Sequence, residues 1–187
     1  MLLEVVLISL IIALVRGGSL KNLTYLHIDG IGYMLIGVII YSFSIRYIAN
    51  SNSEFSTLLF SNLPLIYILS FGLILFGLYK NKHITGIKLS MAGIVLNQIV
   101  IILNGGRMPV SEDALLRLNM LDQLKILQQD IVITHTLINS STKLYLLSDI
   151  IPVRYILPKV ISIGDILLSI GIFLMIQKFA TSQDMLQ

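Results

Sequence analysis

The sequence predicts an all-α fold: a polytopic membrane helix bundle of about five transmembrane helices, with an amphipathic helix on its outer side. Three observations carry this. Of the 187 residues, 56% are hydrophobic and only 12% charged, where a soluble domain carries about a quarter charged residues. Mean hydropathy is +0.89. Apolar runs approaching the roughly 20 residues that cross a hydrocarbon core recur along the chain. Such a chain has too few polar groups to cover its surface in water, and in a bilayer it does not need to. The net charge of +3 does not indicate nucleic acid, because Lys and Arg sit between the apolar runs, where they set orientation in membrane proteins. There is no cysteine, which excludes disulfides, thiolate metal sites and cysteine nucleophiles.

The first run, Leu2 to Val15, is short and holds Glu4. It lacks the basic start and small-residue cleavage site of a signal peptide and reads as a retained first helix. Glu4 lies near its end and could simply reach water. The next spans are Ile31 to Ala49, Thr57 to Tyr79 and Ile84 to Leu103, and the last is Val160 to Phe179. The chain thus reads as one membrane domain, 1–187: four spans in 1–103, an outer segment in 104–159, and a fifth span in 160–179. Lys80, Lys82 and Lys88 flank one turn, and Arg16 and Lys21 another. Both turns are expected in the cytoplasm, which puts the N-terminus outside and the C-terminus, with Lys178, inside. The expected location is the cell membrane, with the lipid bilayer as partner.

Within the outer segment, Ser111 suits a helix N-cap, with Glu112 and Asp113 in the first turn. Leu115, Leu118, Leu121, Leu124 and Leu127 recur at helical spacing, so Ser111 to Gln129 is expected as one amphipathic helix on the outer surface or over the mouth of the bundle. Ile131 to Leu147 is polar in its middle and reads as a re-entrant or interfacial element. Ser148 to Lys159, with Pro152 and Pro158, reads as an irregular loop.

Ionisable groups inside a membrane are costly, and so mark function by default. Asp165 lies inside the expected fifth span with Ser162 and Ser169 on the same face. On the fourth span Ser90, Gly93, Asn97 and Asn104 share a face. Two such polar stripes would line a hydrated cleft open to the outside, or would simply join helices, as small and amide residues do. Asp149 precedes Asp165 by 16 residues, and a loop folding back would bring the two carboxylates together. Two close carboxylates cannot both ionise cheaply, so one keeps its proton. One base and one acid is what an aspartyl hydrolase needs.

The stretches Asn104-Gly-Gly-Arg-Met-Pro-Val110, His135, Thr142-Lys-Leu-Tyr-Leu-Leu-Ser-Asp149 and Ser162-Ile-Gly-Asp165 resemble a family of bacterial membrane proteins of unknown function found largely in Firmicutes. That resemblance implies a cell-membrane protein and no particular activity. A more distant, local resemblance is to lipoprotein signal peptidase, the type II aspartyl signal peptidase. Asn104 and Gly106 resemble its Asn-x-Gly motif. Asp149, followed by Ile150, resembles its first catalytic Asp. Ser162-Ile-Gly-Asp165 with Gly171 resembles the context of its second. The resemblance implies a peptide or lipoprotein substrate at the outer face. The Gly-Asn-x-x-Asp-Arg signature of that family is absent and the order of spans differs, so the likeness is one of local pattern.

His27, His83 and His135 form no pair at ligand spacing. His135 could join Asp149 and Asp165 around an ion, but neither metal nor cofactor is expected, and a lone His is more often a structural or pH-tuned partner. Arg107 beside Gly105 and Gly106 could hold a phosphate or carboxylate bidentately, anchor a lipid headgroup, or pair with Asp149 or Asp165. No internal repeat of the transporter kind is visible. Two functions remain. One is an intramembrane aspartyl peptidase acting through Asp149 and Asp165, with Asn97, Asn104, Gly106, Arg107 and His135 around its substrate. The other is a non-enzymatic protein binding a lipid, small ligand or protein partner in the same cleft. Arg107 is expected to discriminate: paired with the carboxylates it favours binding, and elsewhere it leaves one carboxylate protonated and favours acid–base chemistry.

Overall fold

A computed structural model describes residues 2–181. The chain is mostly helical: α1 (Leu2–Val15), α2 (Ile31–Asn50), α3 (Glu54–Ser61), α4 (Leu63–Lys80), α5 (Ile87–Leu103), α6 (Glu112–Arg117), α7 (Leu121–Gln128) and α8 (Ile163–Ala180). The all-α expectation needs one amendment. The outer segment holds two small sheets, β1 (Met108–Val110) parallel to β2 (His135–Leu137), and β3 (Ile151–Val153) antiparallel to β4 (Lys159–Ile161).

The long helices pack in a row, α2 on α4, α4 on α5, α5 on α8, and α8 on α1. Small residues let these backbones approach. A Cβ on Gly93 would press on the Gly164 carbonyl and Leu168, and one on Gly171 on Ser90 and the Gly86 carbonyl. These positions join α5 to α8, the pair that carries the polar residues of interest.

By length and composition α2, α4 and α8 can each cross a membrane; α1 and α5 are apolar but shorter, at 14 and 17 residues. Only 11% of the apolar window of α2 is buried within the protein. Val38, Ile39 and Phe43 of α2 and Leu65 and Leu69 of α4 stand exposed, an apolar surface too extensive for water. The helix directions put Arg16, Lys21, Lys80, Lys82, Lys88 and Lys178 at one end of the bundle, with Asp29 as the sole acidic residue there among those described. The segment between α5 and α8, of mixed charge, lies at the other end.

Several expected boundaries shift. The third span is two helices, α3 and α4, joined at Asn62. Pro64 explains the break: in the first turn of α4 its missing N–H is harmless, but in a continuous helix its ring would meet the carbonyl of Phe60. The single helix expected from Ser111 to Gln129 is α6 and α7, separated where Asn119 takes the left-handed φ of 57°. The leucine stripe falls out of phase there. Leu118 and Leu124 are buried, while Leu121 is 47% exposed. Ile131 to Leu147 is a strand, a polar loop and a short 3₁₀ turn, Tyr145–Leu147. Ser148 to Lys159 holds strand β3 and reaches the first residue of β4, so it is not an irregular loop; Pro152 fits because a two-stranded sheet consists of edges. Val160 belongs to β4, and α8 begins only at Ile163. Glu4 does not reach water. It is buried and forms an ion pair with Lys159, joining α1 to β4.

Candidate functional site

Asp165 stands in the first turn of α8, not deep within a span. Ser162 caps the helix, its hydroxyl accepting from Asp165 N at 3.0 Å, while Asp165 Oδ2 accepts from Ser162 N at 3.2 Å. This reciprocal capping box satisfies two backbone donors that the helix cannot. Asn97 of α5 completes the group. Its Nδ2 donates to Asp165 Oδ1 at 3.0 Å, and its Oδ1 accepts from Ser162 Oγ at 2.8 Å. Both oxygens of Asp165 are therefore held. Ser169 donates to the Asp165 backbone carbonyl at 2.7 Å.

Asp149 is placed by the backbone. Its N–H donates to Pro109 O at 3.0 Å and its carbonyl accepts from Ser111 N at 2.9 Å, which fastens it alongside Val110 at the end of β1. The residue is 8% exposed, and its buried Oδ1 has no hydrogen-bond partner. Burial pushes the Asp149 carboxyl up to about 8, and the negative charge of Asp165 adds to the rise. At neutral pH this carboxyl is mostly protonated, beside a fixed carboxylate-bearing cap. His135 sits on β2 with Nδ1 2.8 Å from Thr134 Oγ1. Burial lowers its pKa, Asp165 opposes that, and Arg107 reinforces it, so the ring is neutral.

Asn97, His135, Asp149 and Asp165 line one cavity of about 250 Å³. Tyr41, Tyr67 and Phe71 line it too, as does Gln98, whose buried Oε1 has no hydrogen-bond partner among the described residues. A second cavity of about 360 Å³, between α6, α7 and β4, shares His135 and Asp149 with the first.

Arg107, Asn104 and Gly106 do not join this group. The Arg107 guanidinium donates to His135 O at 3.1 and 2.8 Å and to Val132 O at 2.7 Å, and pairs with Asp130 at 2.7 Å. It braces the backbone behind His135 and meets neither Asp149 nor Asp165, contrary to the pairing considered from sequence. Asn104 donates to Val100 O and Lys143 O at 2.8 and 3.0 Å and accepts from Lys143 N at 2.9 Å, pinning the loop before the 3₁₀ turn. Gly106 has φ +87°, and a Cβ there would strike Leu63; it is a turn glycine at close approach to α4. Among the described residues no group of three or more His, Cys, Asp or Glu is arranged to hold a metal ion.

Gln98 and the three aromatic residues were not singled out from sequence. Gln98, an amide next to Asn97 in an apolar run, carried a usable signal. Tyr41, Tyr67 and Phe71 did not, because aromatic residues are ordinary in apolar helices.

An uncharacterised protein of Thermotoga maritima is 32% identical over 176 residues, covering 93% of this chain and 89% of that protein. No solved structure matches. The profile of a family of unknown function, DUF5317, matches residues 26–177. The chain belongs to the DUF5317 family.

Proposed function

We propose that this chain is a multi-pass protein of the bacterial cell membrane that binds a small polar ligand in the cavity between Asp149 and Asp165. The observation that carries this is a cavity lined by both Asp149 and Gln98, each of which buries a side-chain oxygen, Oδ1 and Oε1, without a partner among the described residues. Leaving such a group unsatisfied costs about 1–3 kcal/mol, and native proteins keep few of them. The cavity's size suits a compound smaller than the roughly 300 Å³ at which drug-sized sites begin. Native mass spectrometry of the full chain, released from membranes into mild detergent, tests this. A small-molecule adduct is expected in the wild type and absent from Gln98→Leu. An adduct of equal occupancy in both would move the site elsewhere.

The proposed topology has α1, α2, α4, α5 and α8 as five spans, with the N-terminus outside and the cavity at the outer end. Its support is the gathering of lysine and arginine at the opposite end. The cysteine-free sequence makes the test direct. Gln129→Cys in intact cells is expected to react with a membrane-impermeant maleimide, and Lys82→Cys only after lysis. The reverse pattern inverts the topology.

A second reading is aspartyl hydrolysis of an outer-face peptide or lipoprotein. It is favoured by one feature, a protonated Asp149 beside Asp165 with Arg107 turned away. Asp149 would protonate the leaving amine and Asp165 would take a proton from water. Against it, both Asp165 oxygens are already engaged by Asn97 and Ser162. Outer-face peptides in proteoliposomes made with ¹⁸O water decide this. Label in new carboxyl termini, absent with Asp149→Asn, would establish hydrolysis, and its absence from the wild type would remove this reading.

A further inference from the structure

Resting on the binding reading, we infer that the cavity recognises a small organic ammonium group, held between the rings of Tyr41, Tyr67 and Phe71 and the side-chain oxygens of Asp149, Asp165 and Gln98.

The two kinds of lining residue ask for the same thing. Tyr41 and Tyr67 lie with centroids 5.3 Å apart, and Phe71 stands 5.5 Å from Tyr41 and 5.6 Å from Tyr67. The tyrosine hydroxyls are 3.3 Å apart and partner one another. Such ring clusters attract cations through their electron-rich faces. The remaining free groups are oxygens, and a protonated Asp149 still keeps one that accepts. Gln98, 8% exposed, and Asp149, 8% exposed, each bury an oxygen that no donor among the described residues reaches. Asp165 is held in place by Asn97 and Ser162 and presents negative charge to the same space.

Among the described residues no Lys or Arg lines the cavity. The candidate nearest in the sequence pattern, Arg107, is committed to His135 O, Val132 O and Asp130. A carboxylate or phosphate ligand would therefore meet carboxyl groups with no cation to compensate. A purely apolar ligand would leave both orphan oxygens buried and unpaired. An ammonium with N–H donors satisfies the oxygens and the rings together, and its short carbon chain suits the apolar remainder of the lining. The group could belong to a free amine or to an aminophospholipid headgroup, and the chemistry of recognition is shared.

The test uses the full chain in phosphatidylglycerol nanodiscs and calorimetric titration with ethylammonium. Four probes compete: 1-propanol as a neutral alcohol of similar size, propionate as the anion, tetramethylammonium as a cation without N–H donors, and potassium. Ethylammonium is expected to bind at least tenfold tighter than each of these. Gln98→Leu and Tyr67→Leu are each expected to weaken it at least fivefold. Gln98→Leu replaces one buried side chain by another of similar size, so it keeps the test valid if Tyr67→Leu fails to fold. Equal binding of 1-propanol or potassium would overturn the inference. Binding of propanol or propionate without ethylammonium would overturn it while leaving the cavity a ligand site. Silence of every probe, with both variants unchanged, would overturn the cavity reading as well. Repeating the titration with phosphatidylethanolamine in the nanodisc separates the two sources. An apparent Kd that rises with that lipid supports a headgroup, and an unchanged Kd supports a free amine.

Discussion

The protonation of Asp149 makes a quantitative prediction about stability. Its carboxyl moves from an ordinary 3.8 to about 8 in the folded protein. The groups facing it are Asp165 from α8 and His135 from β2, with Arg107 behind His135. Between these two values the folded chain carries a proton at Asp149 that the unfolded chain has released. Unfolding then releases a proton, so stability falls as pH rises. The full contribution is present below pH 4, declines through the window from about 4 to 8, and is flat above it. At about 1.4 kcal/mol per pH unit, the loss across that window is on the order of 6 kcal/mol. Asp149→Asn keeps the shape and the neutrality but cannot ionise, so it escapes the loss. Thermal unfolding of both proteins in detergent from pH 5 to 9 is the assay. The variant is expected to lead by only a few degrees near pH 5 and by more than about 10 °C at pH 9, taking about 2–4 °C per kcal/mol for a chain of this size. A difference that stays constant across the range, or a variant less stable at pH 9, would refute the protonated burial of Asp149.

Other expectations follow from the same geometry. Gly171→Ala puts a Cβ against Ser90 and the Gly86 carbonyl, whereas Gly72→Ala meets nothing within 4 Å; denaturant unfolding is expected to show a loss of about 1–3 kcal/mol for the first, and no loss for the second. Ser162→Ala removes the α8 cap and leaves Asn97 Oδ1 without its donor. It is expected to cost about 1–3 kcal/mol in the same assay, and a neutral result would remove the Asn97–Ser162–Asp165 group from the framework. Arg107→Lys cannot reproduce the forked bonds to His135 O and Val132 O. It is expected to speed proteolytic cleavage between Gln129 and Thr134, and an unchanged cleavage rate would show that the brace is dispensable.

Much of this protein was legible in local pattern. Membrane character followed from composition and apolar run length, because lipid selects for those quantities residue by residue. The bounds of α1 agree with the sequence reading, and α2 differs by a single residue at its end. Asn97, Asp149 and Asp165 stood out in the sequence because a carboxylate or amide in apolar surroundings is costly wherever the chain folds. Their partners were not visible. Asn97 and Asp165 are 68 residues apart and Glu4 and Lys159 further still, and no local rule pairs such groups. Only tertiary structure decided that Asp165 serves as a helix cap as well as a cavity wall, that Arg107 turns to backbone carbonyls, and that Asp149 keeps an oxygen without a donor. The physical reason is that hydropathy is a property of each segment, whereas the satisfaction of a buried polar group depends on which segments the packing brings against it.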